Sequence, residues 1–157
     1  MKPKVYLETS IISYLAARPS RDLVVAAHQQ ITAEWWDNSR HRFDMYTSEL
    51  VIREAGAGDP DAAKRRLEFL AGLPSLTISE EALALAKRLV EAGTVPRQAG
   101  EDALHIAIAT LQGMDFLLTW NCKHIANASM WIRIDGVCRA QGHNLPAIAT
   151  PEQLQEE

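Results

Sequence analysis

The sequence predicts an α/β domain built on a mainly parallel sheet. Short apolar runs without polar alternation, at residues 5–7 and 116–118, are typical of strands that are covered on both faces. Longer segments with apolar residues at helical spacing lie between these runs, and strands that alternate with helices favour parallel pairing. Because the chain has 157 residues, 47% of them hydrophobic, we expect one domain over residues 1–157 with a core of its own.

The predicted elements follow one another in the order that such a domain requires. Strands are predicted at residues 5–7, 43–47, within 73–78, at 116–118 and at 147–148. An apolar turn is expected at 11–15, and helices are expected at about 20–38, 49–55, 59–70, 80–92, 102–112 and 125–141. Expected N-caps are Ser20 or Asp22, then Ser48, Asp59 and Ser79.

Residues 101–124, EDALHIAIATLQGMDFLLTWNCKH, form the centre of the prediction. A largely apolar helix is expected to begin at Asp102 and to end at Gly113, and the strand at 116–118 follows it. Asn121 then leaves the carboxyl end of that strand. In open α/β sheets this edge is where ligands bind, so the segment directs attention to polar residues that reach the same edge.

Three acids and one amide are the candidates for a common site. Glu8 directly follows the first strand, Glu54 shares a helix face with core residues, Asp102 begins a helix and Asn121 follows a strand. Three carboxylates in one cleft would repel one another unless a cation neutralised them. Oxygen ligands suit Mg²⁺ or Mn²⁺, and a bound ion of this kind can orient a water for attack on a phosphodiester.

Each candidate also has a simpler explanation when it is taken alone. Asp102 at a helix start is then an N-cap, and Glu54 is a solvated helix acid. Glu49 is an alternative to Glu54 as the functional acid of that helix. Asn121 favours a turn. Only the joint arrangement of these residues favours a metal centre.

Composition and missing motifs narrow the chemistry further. The net charge of -4 argues against a generally basic nucleic-acid-binding surface. Cys122 and Cys138 are the only cysteines and the N-terminus has no signal-peptide pattern, so we expect a reducing cytoplasm and no zinc site. The sequence has no GxxxxGK[ST], GxGxxG or HExxH motif and no paired serine or cysteine nucleophile. With these mechanisms excluded, hydrolysis assisted by a bound metal is the chemistry that the sequence still allows.

Four segments carry a resemblance to a known family, and their order and spacing extend over nearly the whole chain. They are VYLETSIISYL, SELVIREAGAG, EDALHIAIA and FLLTWNCKHIANA, followed by PAIATPEQL near the end. The sequence resembles the PIN-domain family, especially the VapC-like ribonuclease toxins of type II toxin-antitoxin pairs. The resemblance implies a three-layer α/β/α sandwich with a central parallel sheet, Mg²⁺- or Mn²⁺-dependent RNA cleavage, a cognate antitoxin and a homodimer.

Carried over by position, the resemblance assigns the four candidates to a catalytic metal site. Glu8, Glu54 and Asp102 stand at three acidic positions, and Asn121 stands at a fourth position that is usually acidic. Glu8 is itself a departure, because Asp is usual there. Since the neutral amide weakens a second cation more than a first, we expect one resident metal, with a second recruited by substrate phosphate. The small polar residues that support the site are matched by Ser10 and Thr119.

The sequence also allows other interpretations of its residues and of its function. Lys123 and His124 follow Asn121 and are candidates for phosphate contacts, although a solvated helix start is the better explanation of these two residues. The amide at Asn121 motivates the alternative of a catalytically weak PIN-like module that binds RNA or protein. A receiver-type phospho-acceptor or phosphohydrolase is disfavoured, because Glu8 stands alone after the first strand without paired aspartates.

Overall fold

The computed structural model describes residues 1–155, so the last two residues of the predicted domain lie outside the described part. Its strands are β1 (Lys4–Leu7), β2 (Asp44–Ser48), β3 (Ser75–Leu76), β4 (Phe116–Leu118) and β5 (Ala147–Ala149). Its α-helices are α1 (Thr9–Ala16), α2 (Leu23–Asn38), α3 (Glu49–Ala55), α4 (Pro60–Leu70), α5 (Glu80–Glu91), α6 (Gly100–Leu111) and α7 (Ala128–Ala140). Short 3₁₀ turns occupy Arg40–Arg42, Arg97–Ala99 and Pro151–Leu154.

The strands form one parallel sheet in the order β3-β2-β1-β4-β5, which confirms the predicted fold class. β1 lies at the centre, where Tyr6 is in register with Tyr46 of β2 and with Leu117 of β4. Val5, Tyr6 and Leu7 are all fully buried. Because successive side chains of a strand point to opposite faces, this burial requires helices on both faces of the sheet.

Two groups of helices provide this cover. On one side α1 packs against α2, α3 and α4, and on the other α5 packs against α6 and α7. The core between them is continuous from the sheet into both layers. Among the described residues no helix has both the length and the apolar composition needed to cross a membrane.

The carboxyl edge of the sheet brings several helix starts together. Glu8 alone connects β1 to α1, and α3 follows β2 without any intervening residue. α6 leads into β4 and so begins near this edge, since a crossover helix runs antiparallel to the strands that it connects. An ion pair of 3.3 Å between Arg53 of α3 and Glu101 of α6 confirms that these two helices meet here.

Most helix signals read from the sequence are confirmed, and three expectations are corrected. Asp22, Ser48, Asp59 and Ser79 each accept a hydrogen bond at a helix start. The apolar turn after Glu8 is in fact the two-turn helix α1. The helix predicted from residue 125 begins at Ala128, because Asn127 caps it through the backbone N–H of Ser129.

The third correction concerns Asp102, which does not begin its helix. A 3₁₀ turn at Arg97–Ala99 runs directly into α6, so the helix starts at Gly100 and Asp102 is its third residue. No side chain caps this start. The N-cap explanation of Asp102 is therefore wrong, and the structural reason left for an acid here is the dipole of the first turn of α6.

Candidate active site

Glu8 is a buried carboxylate at the junction between β1 and α1, with 6% of its surface exposed. Its Oε1 accepts hydrogen bonds from the hydroxyls of Ser10 and Thr119, the latter at 2.6 Å. Each hydroxyl in turn accepts from a backbone N–H, of Trp120 and Asn121 respectively, at 2.9 Å. Two backbone dipoles are thereby directed at one carboxylate oxygen, while within residues 1–155 Oε2 makes no hydrogen bond.

Glu54 and Glu8 are both held by α1, each through one of two adjacent residues. Thr9 donates its hydroxyl to Glu54 Oε1 at 2.6 Å, and Ser10, the next residue, donates to Glu8. His105 Nε2 lies 2.6 Å from the same Glu54 oxygen. The exposed Glu49 lies at the other end of α3. The choice between these two acids that the sequence left open therefore favours Glu54.

A second carboxylate crowds Glu54 from the start of α6. Burial alone would raise the pKa of Glu54, but the hydrogen bond and charge of His105, helped by the Thr9 hydroxyl, outweigh it and lower the pKa to about 2. The pKa of Glu101 is raised, first by its hydrogen bond to Glu54 and then by burial and by the charge of Glu54. The charge of Glu54 therefore disfavours the charged form of Glu101, as like charges do when no cation separates them.

Asp102 follows Glu101 and precedes His105 by three residues, so it lies on the face of α6 that meets Glu54. It is partly exposed. Within residues 1–155 it makes no hydrogen bond or ion pair, so its carboxylate is not engaged by any other group of the protein. The same residues contain no group of three or more His, Cys, Asp or Glu side chains that could hold a metal ion.

Asn121 has a defined role in the turn that follows β4. Its Oδ1 accepts from the backbone N–H of His124 at 3.1 Å, and its backbone carbonyl accepts from Ile125 and Ala126. The amide oxygen retains a second lone pair, so its predicted role at a metal stays a prediction. In the same turn Lys123 is exposed and His124 is partly exposed, close to Asn121.

The donor chemistry of this site fits Mg²⁺ or Mn²⁺. The available groups are carboxylate, hydroxyl and amide oxygens, without a cysteine among them. Mg²⁺ needs only one or two protein carboxylates because it keeps several of its waters. Glu8 Oε2, the carboxyl of Glu54 and the unpartnered Asp102 are the candidate ligands for such an ion.

Sequence reasoning missed the polar network behind Glu54. His105 is completely buried, and its Nδ1 lies 2.6 Å from the hydroxyl of Tyr6, which is itself 2.8 Å from Ser48 Oγ. Burial raises the pKa of Tyr6 strongly, and the charges of Glu8 and Glu54 add to this effect although the hydrogen bond to Ser48 opposes it. The available signal was a single histidine inside the apolar run ALHIAIA.

Solved structures of other proteins share this fold. No protein-family model and no curated protein sequence matches the chain. One matching solved structure is that of VapBC2 from Rickettsia felis bound to a DNA fragment from the promoter. A chain of this structure matches with a TM-score of 0.60 and 15% identity. The match covers 94% of this chain and 98% of that chain.

A second solved structure is VapC20 of Mycobacterium tuberculosis, described as a Sarcin-Ricin loop cleaving toxin. It matches with a TM-score of 0.59 and 13% identity over 79% of this chain and 95% of that one. The chain therefore has the PIN-like α/β fold of VapC-type proteins. The resemblance that the sequence indicated is therefore confirmed for the fold. Identities of 15% and 13% do not extend the comparison beyond the fold.

Proposed function

We propose that this protein is a metal-dependent endoribonuclease that hydrolyses RNA phosphodiesters, and that it is the VapC-like toxin of a toxin-antitoxin pair. The observation that carries the proposal is that Thr9 and Ser10, adjacent residues of α1, donate their hydroxyls to Glu54 and Glu8 respectively. In this proposal these two carboxylates and the unpartnered Asp102 of α6 are the protein's part of a Mg²⁺ or Mn²⁺ centre. The fold shared with VapC20 supports the same chemistry.

Each residue has a distinct role in this proposal. Glu8, Glu54 and Asp102 hold the ion, and when bound it supplies an activated water and neutralises charge on the phosphodiester. Ser10 and Thr119 fix the carboxylate of Glu8 through one oxygen, so the other remains available. The fixed geometry matters because preorganised ligands need no rearrangement when the substrate arrives.

The turn after β4 provides the polar contacts to the substrate. Asn121 contributes a neutral oxygen at the edge of the ion, and we propose one resident metal with a second recruited only by substrate phosphate. Lys123 and His124 lie in the same turn, and we propose them as phosphate contacts. A titration of the RNA-free protein that revealed two tight Mn²⁺ sites would contradict the single-metal part of the proposal.

The experiment for this function is cleavage of a labelled RNA with Mn²⁺, with EDTA in a parallel reaction. Asp102→Asn is expected to reduce the rate at least ~100-fold, equivalent to ~3 kcal/mol of transition-state stabilisation. Glu49→Gln is the matched control, because Glu49 is an exposed acid at the far end of α3. Equal cleavage by the wild type and Asp102→Asn would refute the enzymatic proposal.

A second candidate function is a catalytically weak PIN-like module that binds RNA or a protein. It is favoured by the neutral Asn121, whose oxygen already accepts from His124. It is also favoured because residues 1–155 contain no group of three or more His, Cys, Asp or Glu side chains that could hold a metal ion. A gel-shift assay with Mn²⁺ distinguishes this binding module from the ribonuclease. The binding module predicts that the wild type retains the RNA and that the RNA is recovered intact.

Partners and location belong to the same proposal. A cognate antitoxin and a homodimer are proposed, in the cytoplasm, and the likeness to VapBC2 of Rickettsia felis supports the antitoxin. Light scattering of the purified chain tests the dimer. Co-expression with the product of the neighbouring gene tests the antitoxin, since the toxin is then expected to copurify and to lose its RNA cleavage.

A further inference from the structure

A closed polar network lies under the candidate site and has no role in the function proposed so far. It runs from Ser48 through Tyr6 and His105 to Glu54, with contacts of 2.8, 2.6 and 2.6 Å. Ser48, Tyr6 and His105 are completely buried. Buried polar groups are costly unless they are paired, and here every member is paired.

The network joins four elements, because Ser48 ends β2 and Glu54 belongs to α3. Ser48 caps α3 by accepting from Val51 N–H at 3.1 Å, and Glu54 lies near the other end of the same helix. Tyr6 belongs to β1 and His105 to α6. The orientation of Glu54 is thus fixed relative to its own helix, to the central strand and to α6.

The imidazole has little freedom in this environment. Both ring nitrogens are engaged, Nδ1 with Tyr6 and Nε2 with Glu54. The rings of His105 and Tyr6 pack edge to face, with centroids 5.8 Å apart and planes 64° apart. Because the surrounding positions of α6 are apolar, an aliphatic residue would serve the core as well, and packing alone does not explain a histidine here.

We propose that His105 is a positioning residue that orients the Glu54 carboxylate for a divalent cation, with Tyr6 and Ser48 fixing the imidazole from behind. The proposal rests on the proposed function only in taking Glu54 as a cation ligand. Glu54 is a partly exposed side chain on a flexible stem, with 26% of it accessible. Without His105 only the Thr9 hydroxyl would hold it, so it would sample more rotamers, and only some of them present oxygen to the ion.

The test is Mn²⁺ affinity of the purified full chain without RNA, measured from the electron paramagnetic resonance signal of free Mn²⁺. His105→Leu removes both hydrogen bonds and is expected to weaken Mn²⁺ binding ~10- to 100-fold, the range found when partners of metal ligands are removed. His105→Gln retains a donor long enough to reach Glu54 and is expected to stay within about threefold of the wild type. His105→Asn reaches Tyr6 only and is expected to behave like His105→Leu.

Stability measurements separate positioning from a purely structural role. Unfolding of each variant in urea with EDTA gives its metal-free stability. Thr110→Val is the matched control, since Thr110 is a buried residue of α6 whose hydroxyl donates to Ile106 O at 2.7 Å, away from the site. It is expected to lower stability and to leave Mn²⁺ affinity unchanged. Should His105→Leu fail to fold, the two amide variants still provide the comparison.

The outcomes are distinct for the two proposals. Equal Mn²⁺ affinity for His105→Gln and His105→Asn, beside a wild type that binds Mn²⁺, would overturn the positioning role alone. A wild type that binds Mn²⁺ in the expected way but leaves RNA intact would overturn the ribonuclease and leave His105 as a positioning residue. A wild type that binds no Mn²⁺ would overturn both.

Discussion

Replacing Thr119 by Val tests how the structure holds the Glu8 carboxylate. The two side chains have nearly the same shape, and Thr119 is completely buried, so the substitution removes the hydroxyl without opening a cavity. The hydroxyl donates to Glu8 Oε1 at 2.6 Å and accepts from the backbone N–H of Asn121 at 2.9 Å. Both contacts are lost in the variant.

The expected loss follows from these two contacts. A hydrogen bond to a charged group contributes ~1.5–3 kcal/mol, and an unpaired N–H costs about 1 kcal/mol more. Because Asn121 is partly exposed and water can replace its partner in part, we expect Thr119→Val to lower the free energy of unfolding by about 2–4 kcal/mol.

Urea unfolding in EDTA at neutral pH measures this loss, with equal slopes required for a valid comparison. Thr77→Val is the control, since Thr77 is exposed, and its effect is expected to stay within about 0.5 kcal/mol. A double-mutant cycle with Glu8→Gln is expected to give a coupling energy above ~1 kcal/mol. If Thr119→Val is as stable as Thr77→Val, the described support of Glu8 is wrong.

Two further predictions concern the other acids. The pKa of Glu54 is about 2 in the folded protein and ordinarily 4.5, so its stabilising contribution is complete above pH 4.5 and is lost as the pH falls toward 2. Between these values the metal-free wild type is expected to lose up to ~1.4 kcal/mol per pH unit through this group, and Glu54→Gln is expected to have a shallower slope by urea unfolding. The raised pKa of Glu101 has the opposite effect on stability, and this effect falls above pH 4.5, outside the range of the Glu54 effect. An unchanged slope of stability against pH in Glu54→Gln, between pH 4.5 and pH 2, would therefore contradict the lowered pKa of Glu54. Because Asp102 caps nothing, Asp102→Asn is expected to keep metal-free stability within about 0.5 kcal/mol, and a loss of several kcal/mol would reveal a structural role.

The strands and helix starts were predictable because their signals are local. The run Phe116–Leu118 occupies the predicted residues, since an apolar run without alternation can be satisfied only between two layers. Ser48, Asp59 and Ser79 cap the helices that they precede, because a short polar side chain satisfies a free N–H wherever a helix begins.

What the sequence could not predict depends on contacts between distant parts of the chain. His105 and Tyr6 are 99 residues apart, and no local pattern distinguishes a histidine that contacts an acid from one that fills the core. The helix predicted to start at Asp102 starts two residues earlier, at Gly100, because a 3₁₀ turn leads directly into it and no cap residue marks the start. Glu101 was overlooked because its importance arises only from its proximity to Glu54.

The most direct test of the proposed metal centre is an anomalous difference map from crystals soaked in Mn²⁺. We expect one peak, about 2.1 Å from carboxylate oxygens of Glu8, Glu54 and Asp102. Bound Mn²⁺ at other residues only, with these three carboxylates free of metal, would contradict the central claim.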